Sequence, residues 1–264
     1  MKLLMYLFLG FIQGFTEPIP VSSSGHLVIF NSILNVDAIN DLNFEIFVNF
    51  GSFIAIFYYY RKEIFDIIKD FFSYIRYKDK KYKVNYNYAW LIVIATIPAG
   101  IVGLLFKSKI ESLTSVKLVG ISLLITALML FLVKDLKGKK EKENMTIIDA
   151  LVVGLFQVIA LFPGISRSGS TLVGGMARNL DRTCAFKFSF MLYLPISIAT
   201  MILSLKDILS FEKSLIMPYT LGMIVATIVT YYSLQWFKNI LEKDKIKYFV
   251  YYCLIVGLLT ILFL

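Results

Sequence analysis

The stretch GFIQGFTEPIPVSSSG, Gly10 to Gly25, lies without gaps against GLFQVIALFPGISRSG, Gly154 to Gly169. The offset is constant at 144 (157 − 13, for Gln157 and Gln13), and it pairs Gly10, Gln13, Ser22, Ser24 and Gly25 with identical Gly154, Gln157, Ser166, Ser168 and Gly169. The same offset brings KEI at Lys62–Ile64 onto KDI at Lys206–Ile208, so the register continues past the first motif. The chain reads as a tandem duplication, about 1–143 and 144–264. Each copy carries a knot of Pro, Gly and polar residues inside apolar sequence, and the fold has to accommodate both.

The surroundings of the knots are built for lipid. Of the 264 residues 58% are hydrophobic, mean hydropathy is +0.74, and the charges are bunched into short tracts between apolar runs about as long as a bilayer core is thick. Six segments are expected to cross: Leu42–Tyr60, Ala89–Phe106, Leu118–Val133, Ala185–Leu205, Met217–Phe237 and Tyr248–Leu264. The two regions holding the knots, Met1–Leu34 and Thr146–Leu180, are interrupted near their polar centres. Unwound backbone at membrane depth is tolerated only where protein or a water-filled cavity satisfies its polar groups, so these regions read as re-entrant helical hairpins. The opening MKLLMYLFLGFI resembles a signal peptide, but Gln13 and Glu17 follow where a small-residue cleavage site is needed, so it is expected to be retained. Cys184 and Cys253 lie in apolar sequence without metal-ligand spacing and read as packing residues.

Charge orients the chain. Arg61–Lys83 holds eight Lys or Arg and four Asp or Glu, whereas Lys206–Lys213, after the matching segment of the second copy, holds two of each. Equivalent loops thus lie on opposite faces, and Lys134–Glu143 and Lys238–Lys247, both net basic, join the cytoplasmic side. Three crossings and one hairpin per copy turn the second copy upside down and leave both termini outside. The expected fold is an all-α integral membrane protein, a single membrane domain with an inverted-topology repeat of six transmembrane helices plus two re-entrant hairpins. The net charge of +9 is then that of basic cytoplasmic loops, with no nucleic acid implied.

In inverted repeats a ligand site commonly forms where broken helices of the two halves meet. Pro18 and Pro20 stop one helix and Ser22 can cap the next; Pro163 and Gly164 do the same ahead of Ser166. Helix N-termini present free N–H groups and partial positive charge, so two facing each other suit a doubly phosphorylated group. Arg167 adds a cation that costs about 2.5–3.5 kcal/mol in a bilayer centre and whose fork matches phosphate oxygens. Ser168 and Thr171 can share its side of the helix. His26 lies i+3 from Ser23 and i+4 from Ser22, on one face, where an imidazole could exchange a proton with a serine hydroxyl or a leaving group. Glu17 is an expensive intramembrane carboxylate suited to act as a base or a cation ligand, with Gln13 four residues before it on the same face. Glu45 either lines the same cavity or sits at a helix end.

QGFTEPIPVSSSGHL (Gln13–Leu27) and PGISRSGST (Pro163–Thr171) resemble the two signature motifs of the undecaprenyl-diphosphate phosphatase family of the bacitracin-resistance type. These are an E/Q-x-x-x-E motif leading into P-V-S-S-[ST]-G-H, and P-G-x-S-R-S-x-x-T; FEIFVNFGSFIAI and FSFMLYLP also look like that family. The resemblance implies a multi-pass enzyme of the bacterial cell membrane that removes the terminal phosphate of a C55 isoprenyl diphosphate, recycling the lipid carrier for peptidoglycan and other envelope polymers. It further implies a divalent cation, Mg²⁺ or Ca²⁺, and a site facing the outer side. Glu17, Ser23, His26 and Arg167 match the family's catalytic set, with Glu17 also a candidate metal ligand. Gln13, Ser22, Ser24, Ser166, Ser168 and Thr171 are expected around the bound diphosphate. Many members carry an acid where this chain has Gln13. The expected partners are the lipid substrate and membrane lipid, with a homodimer left open.

A different class fits the same architecture: inverted repeats with broken helices also build secondary transporters, so a flippase of an anionic lipid is the alternative. A transporter has use for Arg167 and the helix ends, but none for a serine aligned with an acid and a histidine.

Overall fold

The computed structural model describes residues 2–34, 42–204, 213–243 and 245–264. KDI at Lys206–Ile208, the rest of the tract up to Lys213, and Leu205 at the end of an expected span lie outside the described residues. The described residues form ten α-helices and no strand: α1 (Lys2–Thr16), α2 (Ser23–Leu34), α3 (Leu42–Tyr77), α4 (Lys83–Glu111), α5 (Val116–Val133), α6 (Ile147–Ile159), α7 (Arg167–Ala177), α8 (Arg182–Leu203), α9 (Ile216–Glu242) and α10 (Lys247–Phe263).

Among the described residues, four stretches are long and apolar enough to cross a membrane: Lys80–Phe106, Val116–Val133, Arg182–Leu203 and Ile216–Glu242. The segments expected at Ala89–Phe106, Leu118–Val133 and Met217–Phe237 fall inside them, as does Ala185–Leu205 up to Leu203. Tyr248–Leu264 falls on α10, an apolar helix of 17 residues. Leu42–Tyr60 is the first part of α3, whose 36 residues run on into the basic tract. Large apolar side chains point outward along these helices, among them Leu105 at 72% exposure and Leu132 at 67%, as contact with lipid tails rather than water requires.

Both knots fall between helices. At about 1.5 Å per residue the 15 residues of α1 and the 13 of α6 stop short of a hydrocarbon core about 30 Å thick. α6 is anchored at its start by a capping box between Thr146 and Asp149, and the fully buried Asp149 carboxylate also pairs with Lys140 at 3.0 Å and Arg178 at 2.9 Å. Of the two free cysteines, Cys253 is buried in the core and Cys184 is half-buried with its thiol 3.9 Å from the Met145 sulfur.

Packing exchanges partners between the two halves: α1 lies along α9, α6 lies along α4, and α5 pairs with α10. The repeat glycines mark these contacts. A Cβ on Gly10 would stand 2.4 Å from the Gly222 carbonyl oxygen of α9, and a Cβ on Gly154 would stand 2.6 Å from the Ala95 carbonyl oxygen of α4. Small residues that let backbones approach are the usual means of helix association in lipid, where hydrophobic burial gives no drive. Gly10→Ala is therefore expected to lower the melting temperature in detergent by about 2–10 °C through overpacking. Gly100→Ala, where nothing lies within 4 Å, serves as the unaffected control.

Candidate active site

The first knot begins where α1 ends at Thr16, and the chain turns through Pro18 and Pro20 before α2 starts at Ser23. Ser22 takes a left-handed conformation, φ 69°, that side chains seldom adopt and that strained functional turns often show. Local bonds hold it there. Its hydroxyl accepts the Gly25 N–H at 3.2 Å, capping α2, and its carbonyl accepts both the His26 backbone N–H at 3.1 Å and His26 Nδ1–H at 2.7 Å.

The second knot is built likewise. Gly164 supplies the positive φ, and the Ser166 hydroxyl caps α7 by accepting the Gly169 N–H at 3.1 Å. α5 secures it from behind: Ser122 donates to the Pro163 carbonyl at 2.7 Å, and the Ser166 N–H reaches the Thr126 hydroxyl at 3.3 Å.

The knots meet reciprocally. A Cβ on Gly25 would approach Gly164 Cα to 3.3 Å, and one on Gly169 would approach Pro20 Cβ to 3.2 Å, while the offset of 144 relates Gly25 to Gly169 and Pro20 to Gly164. The Ser168 hydroxyl completes the seam by donating to the Ile19 carbonyl at 3.0 Å. Ser23 and Arg167, the first residues of α2 and α7, are also related by the offset. One helix start carries a hydroxyl and the other a cation.

Glu17 joins them. Its Oε1 accepts from Arg167 Nη2, and its Oε2 accepts from the Ser23 hydroxyl and from Gln13 Nε2 at 3.0 Å. At 7% exposure this carboxylate is paired and hydrogen-bonded as a buried charge must be. Gln13 also donates to Asn49 Oδ1 of α3 at 3.0 Å, which fixes the direction of its amide. In the second copy the equivalent Gln157 is buried with no hydrogen-bond partner at either amide atom, and Leu161 stands where Glu17 stands in the first. The first stretch thus carries the acid of this pair and the second the cation.

These groups open onto a cavity of about 410 Å³. Glu17, Ser22, Ser23, Ser24, Ser166, Arg167 and Ser168 line it, as do Glu45, Asn49, Ser197 and Thr200. Val28, Ile46, Phe50, Ile110, Leu161 and Met201 supply apolar lining.

Two expected residues face elsewhere. His26 is buried and is absent from the cavity lining: Nδ1 is taken by the Ser22 carbonyl and Nε2 by the Tyr252 hydroxyl of α10 at 2.7 Å, with the two rings stacked. The hydrogen bond to a serine hydroxyl that the i+3 and i+4 spacing allows is absent; the imidazole braces the strained Ser22 turn instead. Thr171 is buried with its hydroxyl at 2.9 Å from the Arg167 carbonyl and 2.5 Å from Ser189, so it fastens α7 to α8 and does not line the cavity.

The family described as "Bacitracin resistance protein BacA" matches residues 6–259. The chain belongs to this family. It is 45% identical to undecaprenyl-diphosphatase 1 of Bacillus cereus, over 99% of this chain and 97% of that protein. It is 42% identical to undecaprenyl-diphosphatase 1 of Bacillus licheniformis, over 99% and 98%, and 42% identical to undecaprenyl-diphosphatase of Oceanobacillus iheyensis, over 98% and 96%. With its apolar helices and its BacA-family membership, the chain is a multi-pass membrane protein.

Three further residues, unmarked by any local signal in the sequence, brace these groups. Asn49 steadies Gln13, Tyr252 meets His26, and the Tyr193 ring of α8 lies under the Arg167 guanidinium at 4.0 Å. All three come from helices far along the chain from the residues they touch, and no local spacing announces them. A divalent cation fits the donors present. No three His, Cys, Asp or Glu side chains cluster among the described residues, but Gln13 Oε1 is a buried acceptor without a hydrogen-bond partner next to the Glu17 carboxylate. One carboxylate plus neutral oxygens is the set that Mg²⁺ accepts when substrate phosphates complete its shell.

Proposed function

We propose that this chain hydrolyses undecaprenyl diphosphate to undecaprenyl phosphate and phosphate, recycling the lipid carrier for peptidoglycan and other envelope polymers. The observation that carries the reading is the direct link from the Ser23 hydroxyl through Glu17 to Arg167, in a cavity lined by both polar and apolar side chains. That combination suits a diphosphate head on a prenyl tail, and the printed names of the relatives agree with it. A transporter has no use for a hydroxyl already hydrogen-bonded to a carboxylate.

Charge stabilisation comes first, because phosphoryl transfer is dominated by positioning and electrostatics. Arg167 turns its fork from Glu17 to the phosphate oxygens, and the N–H groups at the starts of α2 and α7 face the same charge. Glu17, with the Gln13 carbonyl oxygen, would hold the divalent cation, which when bound supplies further positive charge against the diphosphate. Ser23 Oγ attacks the terminal phosphorus as its proton passes to Glu17 Oε2. The bridging P–O bond breaks, and undecaprenyl phosphate departs with that proton. Water then gives a proton to Glu17 and attacks the phosphoserine; phosphate leaves, and the proton returns to Ser23 Oγ. His26 acts at one remove by holding the Ser22 turn from which Ser23 projects.

The finer architecture belongs to the same proposal: six crossings, two re-entrant hairpins and an inverted repeat, with both termini and the cavity on the outer side of the bacterial cell membrane. The exchange of helix partners between halves and the basic tracts at Arg61–Lys83 and Lys134–Glu143 support it. The named catalytic groups come from one chain, so a homodimer is not needed to complete the site.

Purified protein in detergent, given a long-chain prenyl diphosphate and Mg²⁺, is expected to release phosphate, and Ser23→Ala to lose about 10³-fold or more in rate. Full activity in Ser23→Ala would sink the serine as nucleophile and leave direct attack by water. Absence of release from well-folded wild-type protein would sink the function itself.

A further inference from the structure

Arg167 is held on two sides. Glu17 meets the edge of its guanidinium, and the Tyr193 ring meets its face with the guanidinium carbon 4.0 Å from the ring centroid. Tyr193 is buried at 3% exposure and does not line the cavity, so it stands behind the cation and not beside the substrate. Its hydroxyl donates to the Asn49 backbone carbonyl at 3.1 Å, and the Asn49 side chain accepts from Gln13, which in turn donates to Glu17. The contacts close a ring: Glu17, Arg167, Tyr193, Asn49, Gln13 and back to Glu17. Four helical elements and the first knot meet in it, although no two consecutive members are nearer in sequence than Gln13 and Glu17.

The ring matters because one link in it has to open. When a diphosphate arrives, Glu17 gives up Arg167 to the phosphate oxygens and takes the Ser23 proton. A long, flexible side chain released at that moment would lose its aim, and rotamer freedom regained by an arginine is freedom the transition state must remove again. The aromatic face does not compete for the N–H donors at the guanidinium edge, so it can keep the plane fixed while the edge changes partner.

We propose that Tyr193 is a positioning residue that holds the Arg167 guanidinium plane through the exchange of Glu17 for substrate phosphate. Asn49 supports it by fixing the far end of the ring. The proposal rests on Arg167 being the phosphate-binding cation of the hydrolytic site, and the two are separated by the variants below.

Phosphate release from a C15 prenyl diphosphate with Mg²⁺ in detergent is the measurement, on full-length protein with melting temperature recorded for every variant. Tyr193→Leu is expected to lower kcat about tenfold or more, with KM moved less than about threefold. Tyr193→Phe, which keeps the ring and loses the hydroxyl with its bond to Asn49, is expected to cost about threefold. In an Arg167→Lys background the cation has no plane to hold, so adding Tyr193→Leu is expected to cost less than about threefold. A fully additive tenfold loss there would overturn the proposal and leave Tyr193 as packing, as would Tyr193→Leu turning over at the wild-type rate. Wild-type turnover in Arg167→Lys alone would instead overturn the role of Arg167 from which the proposal starts.

Discussion

Arg167→Ala is expected to reduce phosphate release from a prenyl diphosphate by about 10³-fold or more, the scale on which arginine stabilises phosphoryl transfer. Two effects add in that variant, and they can be told apart. The first is chemical: the diphosphate loses the forked donor that meets its oxygens. The second is structural, since Glu17, with its side chain 5% exposed, is left as a buried carboxylate without its cation. Breaking one side of a buried ion pair costs about 3–5 kcal/mol, so the melting temperature should drop as well. Combining Arg167→Ala with Glu17→Gln removes both charges and is expected to restore much of the stability and none of the activity. Arg167→Lys keeps a charge but not the planar fork, and partial recovery is expected there. Activity within tenfold of wild type in Arg167→Ala would remove the residue from the reaction.

Glu17→Gln separates binding from chemistry. Turnover is expected to fall by about 10²–10⁴, the contribution of a positioned general base. Without Mg²⁺, substrate affinity is expected to hold or to tighten, because a neutral amide no longer competes with phosphate for Arg167. A non-hydrolysable prenyl bisphosphonate, titrated in the presence and absence of Mg²⁺, reads the affinity directly. Binding weakened only when Mg²⁺ is present would assign Glu17 to the cation before the proton. Turnover above a tenth of wild type would show that the Ser23 proton has another acceptor.

The two knots were legible because their signals are local. Pro18, Pro20, Pro163 and Gly164 end helices by geometry that needs no distant partner, and Ser22 and Ser166 cap the next helices through bonds three residues long. A duplicated stretch likewise announces two equivalent structures wherever they come to lie. The pairing of Glu17 with Arg167 follows from the cost of leaving either charge alone in an apolar interior.

His26 marks where that reasoning stops. Helical spacing places it on one face with Ser22 and Ser23, yet spacing does not choose the rotamer, and Tyr252 and the Ser22 carbonyl take both of its nitrogens. Thr171 is similar, drawn inward by Ser189 of a neighbouring helix. Gln13 and Gln157 are identical in sequence and equivalent in register, but only the first has an acid four residues on, so one is bonded and the other is not.

The elements that depend on neighbours along the chain were readable in advance: where helices break, how they restart, that the break occurs twice, and which residue types must find a counter-charge. Only the tertiary structure decided which contacts those groups make. Asn49 lies 36 residues from Gln13 and Tyr252 lies 226 from His26. Such pairs are set by how helices pack through close backbone approaches like that of Gly10 to Gly222, and no periodicity within a single helix encodes them.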